Sequence, residues 1–543
     1  MQFNLNSERK SFQYLLQIFF IFLCVGLFTI DASANNEKAL NKAQKALRQG
    51  EYERAEKLYR EILDKDSLEI NARLGLSYTL LKKRNLRDAY DQAARAIALD
   101  PLSARAHSIF GSVILASGDF RRSIEEFKTA LSLKDDDSLA IAGLAMVNYY
   151  ENRLADCLAL LRRASFIDPD EPDFIFYLGQ AAARFERYKE AADAYERFLR
   201  IAPKTDLDRR DRIRGLIDFL RFLGNRSSLY DIGGDSQTNI KLEMIENRPT
   251  LEVKINDKKE PLRFVLDTGS GMSVISDETA KRLGIKPIAR GGNARAVGGG
   301  GKFEIVYGFI DSLKIGDAMV ENLPVYIRKF YSSGKPADGY LGIAAISSFI
   351  TTVDYKARTL SLIRRRDAET VRQALRKPQQ QDLNAAPQTV LVIPTRMTSS
   401  GFVSGEVKVE GIEETMNFII DTGASITVLS NHVAKREELS DYILKETIKL
   451  YGAAGVAENI PLYQLPKITL GPHSREKVRV VAADLDTINE TTGFEQNGIL
   501  GTNFLIHYRI TFDFRGGFVV FEPNTNTSNA ATPNGTETIT GTQ

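Results

Sequence analysis

Phe264-Val265-Leu266-Asp267-Thr268-Gly269 and Phe418-Ile419-Ile420-Asp421-Thr422-Gly423 are the two stretches on which the reading of this chain turns. Each is an apolar strand that runs straight into Asp-Thr-Gly. Upstream of the first, Thr250-Leu251-Glu252-Val253-Lys254-Ile255 alternates with period two, as a half-buried strand does, and Asn256-Asp257-Lys258-Lys259 makes a turn. Upstream of the second, Gly405-Glu406-Val407-Lys408-Val409 and a turn near Gly411 repeat that order. Downstream, Ser270-Gly271-Met272-Ser273-Val274-Ile275-Ser276 matches Ala424-Ser425-Ile426-Thr427-Val428-Leu429-Ser430. Farther on, Asp338-Gly339-Tyr340-Leu341-Gly342 matches Asn497-Gly498-Ile499-Leu500-Gly501. From triplet aspartate to that last glycine, 267 to 342 and 421 to 501, is 75 and 80 residues. One β module is used twice.

A single Asp-Thr-Gly is weak, because three residues recur by chance. Two copies in one shared context are not. The pair resembles the aspartic peptidases, most closely the retropepsin-like branch found in bacteria, over residues 240–365 and 389–523. The resemblance implies two mostly-β retropepsin/pepsin-like acid protease domains, each giving one catalytic aspartate at a loop tip. Asp267 and Asp421 are then the catalytic pair. Two neighbouring carboxylates cannot both ionise cheaply, so they share a proton. One acts as base on water while the other, protonated, donates to the scissile carbonyl. Thr268 with Gly269, and Thr422 with Gly423, are implied to support the two loops. Whether the lobes pair within one chain or between chains stays open.

A flap is the other part such a site needs, a glycine-rich hairpin that closes over substrate. Gly298, Gly299 and Gly300 in the first copy, and Tyr451 and Gly452 in the second, are the candidates; an ordinary hairpin turn is the plainer reading. A phosphate cradle is excluded, since no Lys-Ser or Lys-Thr follows and no helix opens there. One departure from the family pattern stands out. Gly271 occupies the place of Ser425, where the resemblance implies a polar residue bonding the catalytic carboxylate, and whether this weakens the first lobe stays open. Asp354 and Asp513, each twelve residues past the last module glycine, sit between apolar neighbours and read as structural.

The front of the chain has another texture. Tyr52, Leu86, Phe120, Leu154 and Tyr188 lie 34 residues apart. Small residues recur with that period at Ala55, Ala89, Ser123, Cys157 and Ala191, and at Ala43, Ser77, Gly111, Ala145 and Gly179. Pro101, Pro169 and Pro203 mark unit ends, because proline cannot continue a helix. Antiparallel helices pack closely only where small side chains let the backbones approach. This resembles the tetratricopeptide repeat, and five units are expected over 37–204. Residues 205–225 form an amphipathic capping helix. Such an all-α solenoid presents a concave surface for a peptide or protein partner; a scaffold without a ligand is the alternative. Cys157 fills a small packing slot.

Bulk properties exclude several classes. A net charge of +2 over 543 residues gives no nucleic-acid or membrane field. The histidines His107, His432, His473 and His507 are scattered, so no metal site is expected, and no cofactor. Arg9 and Lys10, an apolar run from Tyr14 to Ile30 and Ala32-Ser33-Ala34 describe a secretory signal peptide over 1–34. An uncleaved anchor is the rival, and only then is a membrane involved. Cleavage would leave Cys157 alone, so no internal disulfide is expected. Residues 226–239 and 366–388 read as linkers, and the Asn/Thr-rich 524–543 as a disordered tail. The expected protein is an exported, periplasmic or envelope endopeptidase acting on peptide or protein, with the repeats binding substrate or a partner. The alternative is a peptide-binding assembly protein that does not cut.

Overall fold

The computed structural model describes residues 36–226, 228–295, 302–332, 334, 337–369, 373, 391–452, 455–524 and 539–540. The expected signal segment, the glycines 298–300, most of 366–388 and most of the tail lie outside these. Among the described residues no helix is long and apolar enough to cross a membrane.

Helices come first: α1 (36–48), α2 (Tyr52–Lys65), α3 (Ile70–Lys82), α4 (Leu86–Leu99), α5 (Ala104–Ser117), α6 (Phe120–Leu133), α7 (Ser138–Tyr150), α8 (Leu154–Ile167), α9 (Pro172–Arg184), α10 (Tyr188–Ile201) and α11 (Leu207–Gly224). The residues spaced by 34 open alternate helices, α2 through α10. Ala55, Ala89, Ser123, Cys157 and Ala191 are all fully buried. Helix pairs touch where a side chain is missing. A Cβ on Gly75 would lie 2.3 Å from the Tyr59 ring, one on Gly111 2.8 Å from Phe127, and one on Gly179 3.0 Å from Tyr195.

The turn inside each repeat has a period of its own. Gly50, Arg84, Gly118, Asn152 and Glu186, again 34 apart, all take a left-handed backbone, with φ of 73°, 59°, 91°, 59° and 61°. Glycine suits this conformation and asparagine tolerates it, but a long side chain strains it by about 1–2 kcal/mol. Arg84→Gly is therefore expected to stabilise the array by up to about 1 kcal/mol, read as a higher denaturation midpoint.

By contact the chain divides into two compact units. The first runs to Ile114 and takes in Arg121–Ala140 and Pro203–Thr205. It is held by a cluster around Tyr59, Leu76, Leu80 and Val113. The second comprises Leu115–Phe120, Ile141–Ala202 and everything from Asp206 onward, so α8 to α11 belong with the strands.

Those strands fall into two like halves. The first half has β1 (Asp231–Gly234), β2 (Gln237–Lys241), β3 (Glu243–Ile245), β4 (Arg248–Ile255), β5 (Leu262–Leu266), β6 (Val274–Ser276), β7 (Ala289–Arg295), β8 (Lys302–Ile315), β9 (Ala318–Arg328), β10 (Gly339–Leu341), β11 (Phe349–Asp354) and β12 (Thr359–Arg364). The second has β13 (Leu391–Pro394), β14 (Arg396–Met397), β15 (Val403–Val409), β16 (Met416–Ile420), β17 (Thr427–Ser430), β18 (Ile443–Gly452), β19 (Gly455–Leu470), β20 (His473–Ala483), β21 (Gly498–Leu500), β22 (Tyr508–Asp513), β23 (Phe518–Pro523) and β24 (Ile539–Thr540). The stretch expected as a linker over 226–239 in fact holds β1 and most of β2. Thr238 and Ile240 point inward there, a period-two pattern that the polar threonine hides.

In each half a short strand lies between the two arms of the triplet loop. β10 pairs parallel with β5 and antiparallel with β6; β21 does the same with β16 and β17. This explains the repeated glycines. A Cβ on Gly339 would meet the Phe264 ring at 2.3 Å, and one on Gly498 the Phe418 ring at 2.2 Å. Gly498→Ala is expected to cost about 1–3 kcal/mol by overpacking, read by chemical denaturation.

A third sheet joins the halves. Its order is β13-β23-β22-β11-β12-β2, three strands from each half, with β11 antiparallel to β22 at the centre. Across that pair the Thr352 and Thr511 hydroxyls lie 2.9 Å apart. The two lobes thus dock within one chain.

Candidate active site

Both triplets sit where strand ends meet. The Asp267 amide donates to Leu341 O and the Asp421 amide to Leu500 O, each at 3.1 Å, so the inserted strand fixes each aspartate. The loops are then tied across the lobes. The Thr268 hydroxyl donates to Ile420 O at 2.8 Å and accepts from the Thr422 amide at 3.0 Å. The Thr422 hydroxyl donates to Leu266 O at 2.6 Å and accepts from the Thr268 amide at 3.1 Å. Both threonines are fully buried. These four bonds have an approximate two-fold relation, as the duplicated sequence requires.

The glycines set the approach. A Cβ on Gly269 would lie 2.3 Å from Asp421 Oδ2, and one on Gly423 2.5 Å from Asp267 Oδ1. Each carboxyl is cradled by its own loop. Asp267 Oδ1 accepts from the Gly269 amide at 2.9 Å, and Asp421 Oδ1 from Gly423 at 2.7 Å and Ala424 at 3.3 Å. Both side chains are fully buried, and neither Oδ2 has a protein hydrogen-bond donor. Two carboxyls so placed hold protons strongly. Burial, then the Asp421 charge, raises Asp267 well above the usual carboxylate range. Burial pushes Asp421 up to about 6, offset by the Gly423 amide and the nearby Asp267 side chain. The proton belongs to the pair.

The other sequence expectations divide. Gly271 has a physical reason: a Cβ there would lie 2.4 Å from Ser400 O. Its counterpart Ser425 is buried, and its carbonyl accepts from the Asn247 side chain at 3.1 Å. Asp354 accepts from the Ala357 amide at 2.8 Å, and Asp513 from the Gly516 amide at 2.8 Å and Arg365 at 3.0 Å; both hold turns in the shared sheet. Burial pushes the Cys157 thiol up to about 12, which leaves it unreactive. Among the described residues no His, Cys, Asp and Glu cluster could hold a metal.

The two hairpins differ. β7 and β8 pair as far as Arg295 and Lys302, and Gly298, Gly299 and Gly300 fall between them, outside the described residues. Tyr451 and Gly452 end β18, where Gly452 pairs with Gly455. A cavity of about 1210 Å³ opens beside the first loop and takes in Gly269–Met272 and Phe303–Tyr307 of β8, but neither Tyr451 nor Gly452. It also contains Arg328, a residue that no pattern in the sequence marks. Arg328 pairs with Ser276 across β9 and β6, while the equivalent pairing of β20 with β17 sets Ala483 against Ser430. Its charge acts against the raised affinity of Asp267 for protons. Cation and alanine at matched positions make the two lobes electrostatically unequal.

Comparison with known proteins agrees with this architecture. An aspartyl protease family model matches residues 251–345 and 405–504, and a tetratricopeptide repeat model matches 40–104, 74–138 and 142–205. Anaphase-promoting complex subunit 3 of Schizosaccharomyces pombe is 29% identical over 123 residues, which are 23% of this chain and only 18% of that protein's length. Among solved structures, a thermophilic TPR protein of Thermus thermophilus is similar at 20% identity, over 34% of this chain and 98% of its own, with a TM-score of 0.30. The TPR protein YrrB is similar at 21% identity, over 31% of this chain and 86% of its own, with a TM-score of 0.21. The chain carries an aspartyl protease family domain in two segments, behind an array of tetratricopeptide repeats.

Proposed function

We propose that this protein is an exported aspartic-type endopeptidase whose Asp267/Asp421 pair activates water against a peptide bond. The observation that carries the reading is the mutual approach of the triplets, in which each glycine leaves room only for the opposite carboxyl. Buried together, the pair keeps one shared proton over a wide pH range. The ionised partner takes a proton from water as it attacks the carbonyl carbon. The protonated partner donates to the carbonyl oxygen; as the C–N bond breaks, the first carboxyl gives its proton to the leaving nitrogen and the second takes one back from the hydroxyl.

Export rests on the charged, apolar and small-residue order of residues 1–34. The repeats would select substrate or hold a partner protein. The test is incubation of the purified chain with proteome-derived peptides over roughly pH 4 to 8, where the pair titrates, with an aspartic-peptidase inhibitor as control. Inhibitor-sensitive cleavage is expected. Bound peptide recovered intact across that whole range would instead make the protein a non-cutting peptide binder. A rise in activity as pH approaches about 6 is also expected, because burial pushes Asp421 up to about 6 and the pair must lose one proton to hold a base.

A further inference from the structure

We propose that the last helices of the repeat array form a wall of the substrate cleft, and that this wall reads a bulky apolar or aromatic side chain of the peptide near the scissile bond. The inference rests on the peptidase reading for its substrate, and on its own geometry for the wall. The cavity of about 1210 Å³ is lined by Gly269 and Met272 together with Tyr149 of α7, Tyr195 of α10 and Leu216 and Leu220 of α11. The space is continuous, so a chain laid against the catalytic loop meets helix side chains. Its volume exceeds the roughly 300–1,000 Å³ of small-molecule sites, and suits a peptide segment.

The helices are fixed to both lobes. Gly215 of α11 has no side chain because a Cβ there would lie 2.0 Å from Arg290 O, in β7 of the first hairpin. Earlier along the helix, Arg212 donates to Asn293 O at 3.1 Å and Lys302 pairs with Asp208 at 2.6 Å. Phe219 stacks on Tyr307 of β8 with ring centres 4.2 Å apart. Toward the second lobe, the Arg184 guanidinium lies over the Tyr149 ring and donates to the carbonyls of Met397, Thr398 and Ser399. A wall joined at so many points keeps its shape, which selection by fit requires.

Leu216 lines the cavity and is half-buried, and it packs against the cluster of Phe219, Leu223, Ala289 and Tyr307. Phe185, 39% exposed, lies on the same lining. The test uses the full chain and two fluorescein-labelled decapeptides, one with a central Phe-Leu and one with a central Ala-Ala. In Leu216→Trp the ratio of Phe-Leu to Ala-Ala cleavage rates is expected to fall about tenfold. Phe185→Ala is expected to lower the same ratio severalfold, and supplies the answer should the tryptophan variant not fold. Ratios unchanged in the folded variants overturn the proposal. Should the wild type cut neither peptide, the proteome-derived mixture decides the peptidase reading, and fluorescence anisotropy of the two peptides decides the wall alone. A loss of Phe-Leu binding in the variants then sustains it, and equal affinities overturn it.

Discussion

Asp421→Asn is expected to lower peptide cleavage by about 10²–10⁴-fold while making the folded chain more stable at neutral pH. The amide carbonyl can still accept from Gly423 and Ala424, as Asp421 Oδ1 does now, so the loop keeps its shape. The shared proton is lost, and with it the general base. Stability moves the other way because of linkage. Asp421 is raised from 3.8 to about 6 in the folded state, so folding binds protons. Such a group contributes stability that is full below its unfolded pKa and is lost as pH rises through the folded one. Above about pH 6 the wild type keeps charge in a buried site, and the asparagine variant removes it. Denaturation midpoints measured at pH 4 and pH 8 should converge at the acid end and separate at the alkaline end, with the variant higher. A variant that retained wild-type cleavage would remove Asp421 from the chemistry.

Thr268→Val has the second large effect. Valine keeps the shape and deletes the hydroxyl, leaving Ile420 O without its donor and the Thr422 amide without its acceptor, both in buried surroundings. Each unsatisfied group costs about 1–3 kcal/mol, so a loss of roughly 2–6 kcal/mol is expected. Cleavage should fall with it, because these bonds hold one loop against the other. Thr268→Ser retains the hydroxyl and should restore most of both. A valine variant as stable and as active as the serine variant would show that the hydroxyl's bonds do not hold the loops.

What could be read from the sequence was what local chemistry dictates. Asp-Thr-Gly behind an apolar strand, twice, specifies a tight loop and a buried carboxyl, and the structure brings Asp267 and Asp421 together. The period of 34 is equally legible, since small residues must recur where helices touch. The left-handed turn with that same period was hidden, because Arg84 and Glu186 occupy a slot that Gly50, Gly118 and Asn152 would have revealed. β1 and β2 were missed for a related reason. Asp231-Ile232-Gly233-Gly234 carries turn residues, and its pairing with Ala318–Glu321 comes from a distant strand. Arg328 and the faces of α7, α10 and α11 gain their meaning only from tertiary placement. Gly215 is likewise explained only by tertiary placement, since a Cβ there would meet the carbonyl of Arg290.

The sheet that β11 and β22 share has a kinetic consequence. A site assembled from two separate chains vanishes on dilution, and its output per chain depends on how often partners meet. Here both halves hang from one backbone, so their local concentration is set by covalent connection and does not fall with the bulk. Turnover per molecule should hold constant down to nanomolar solutions, and a sparsely expressed copy would work as well as an abundant one.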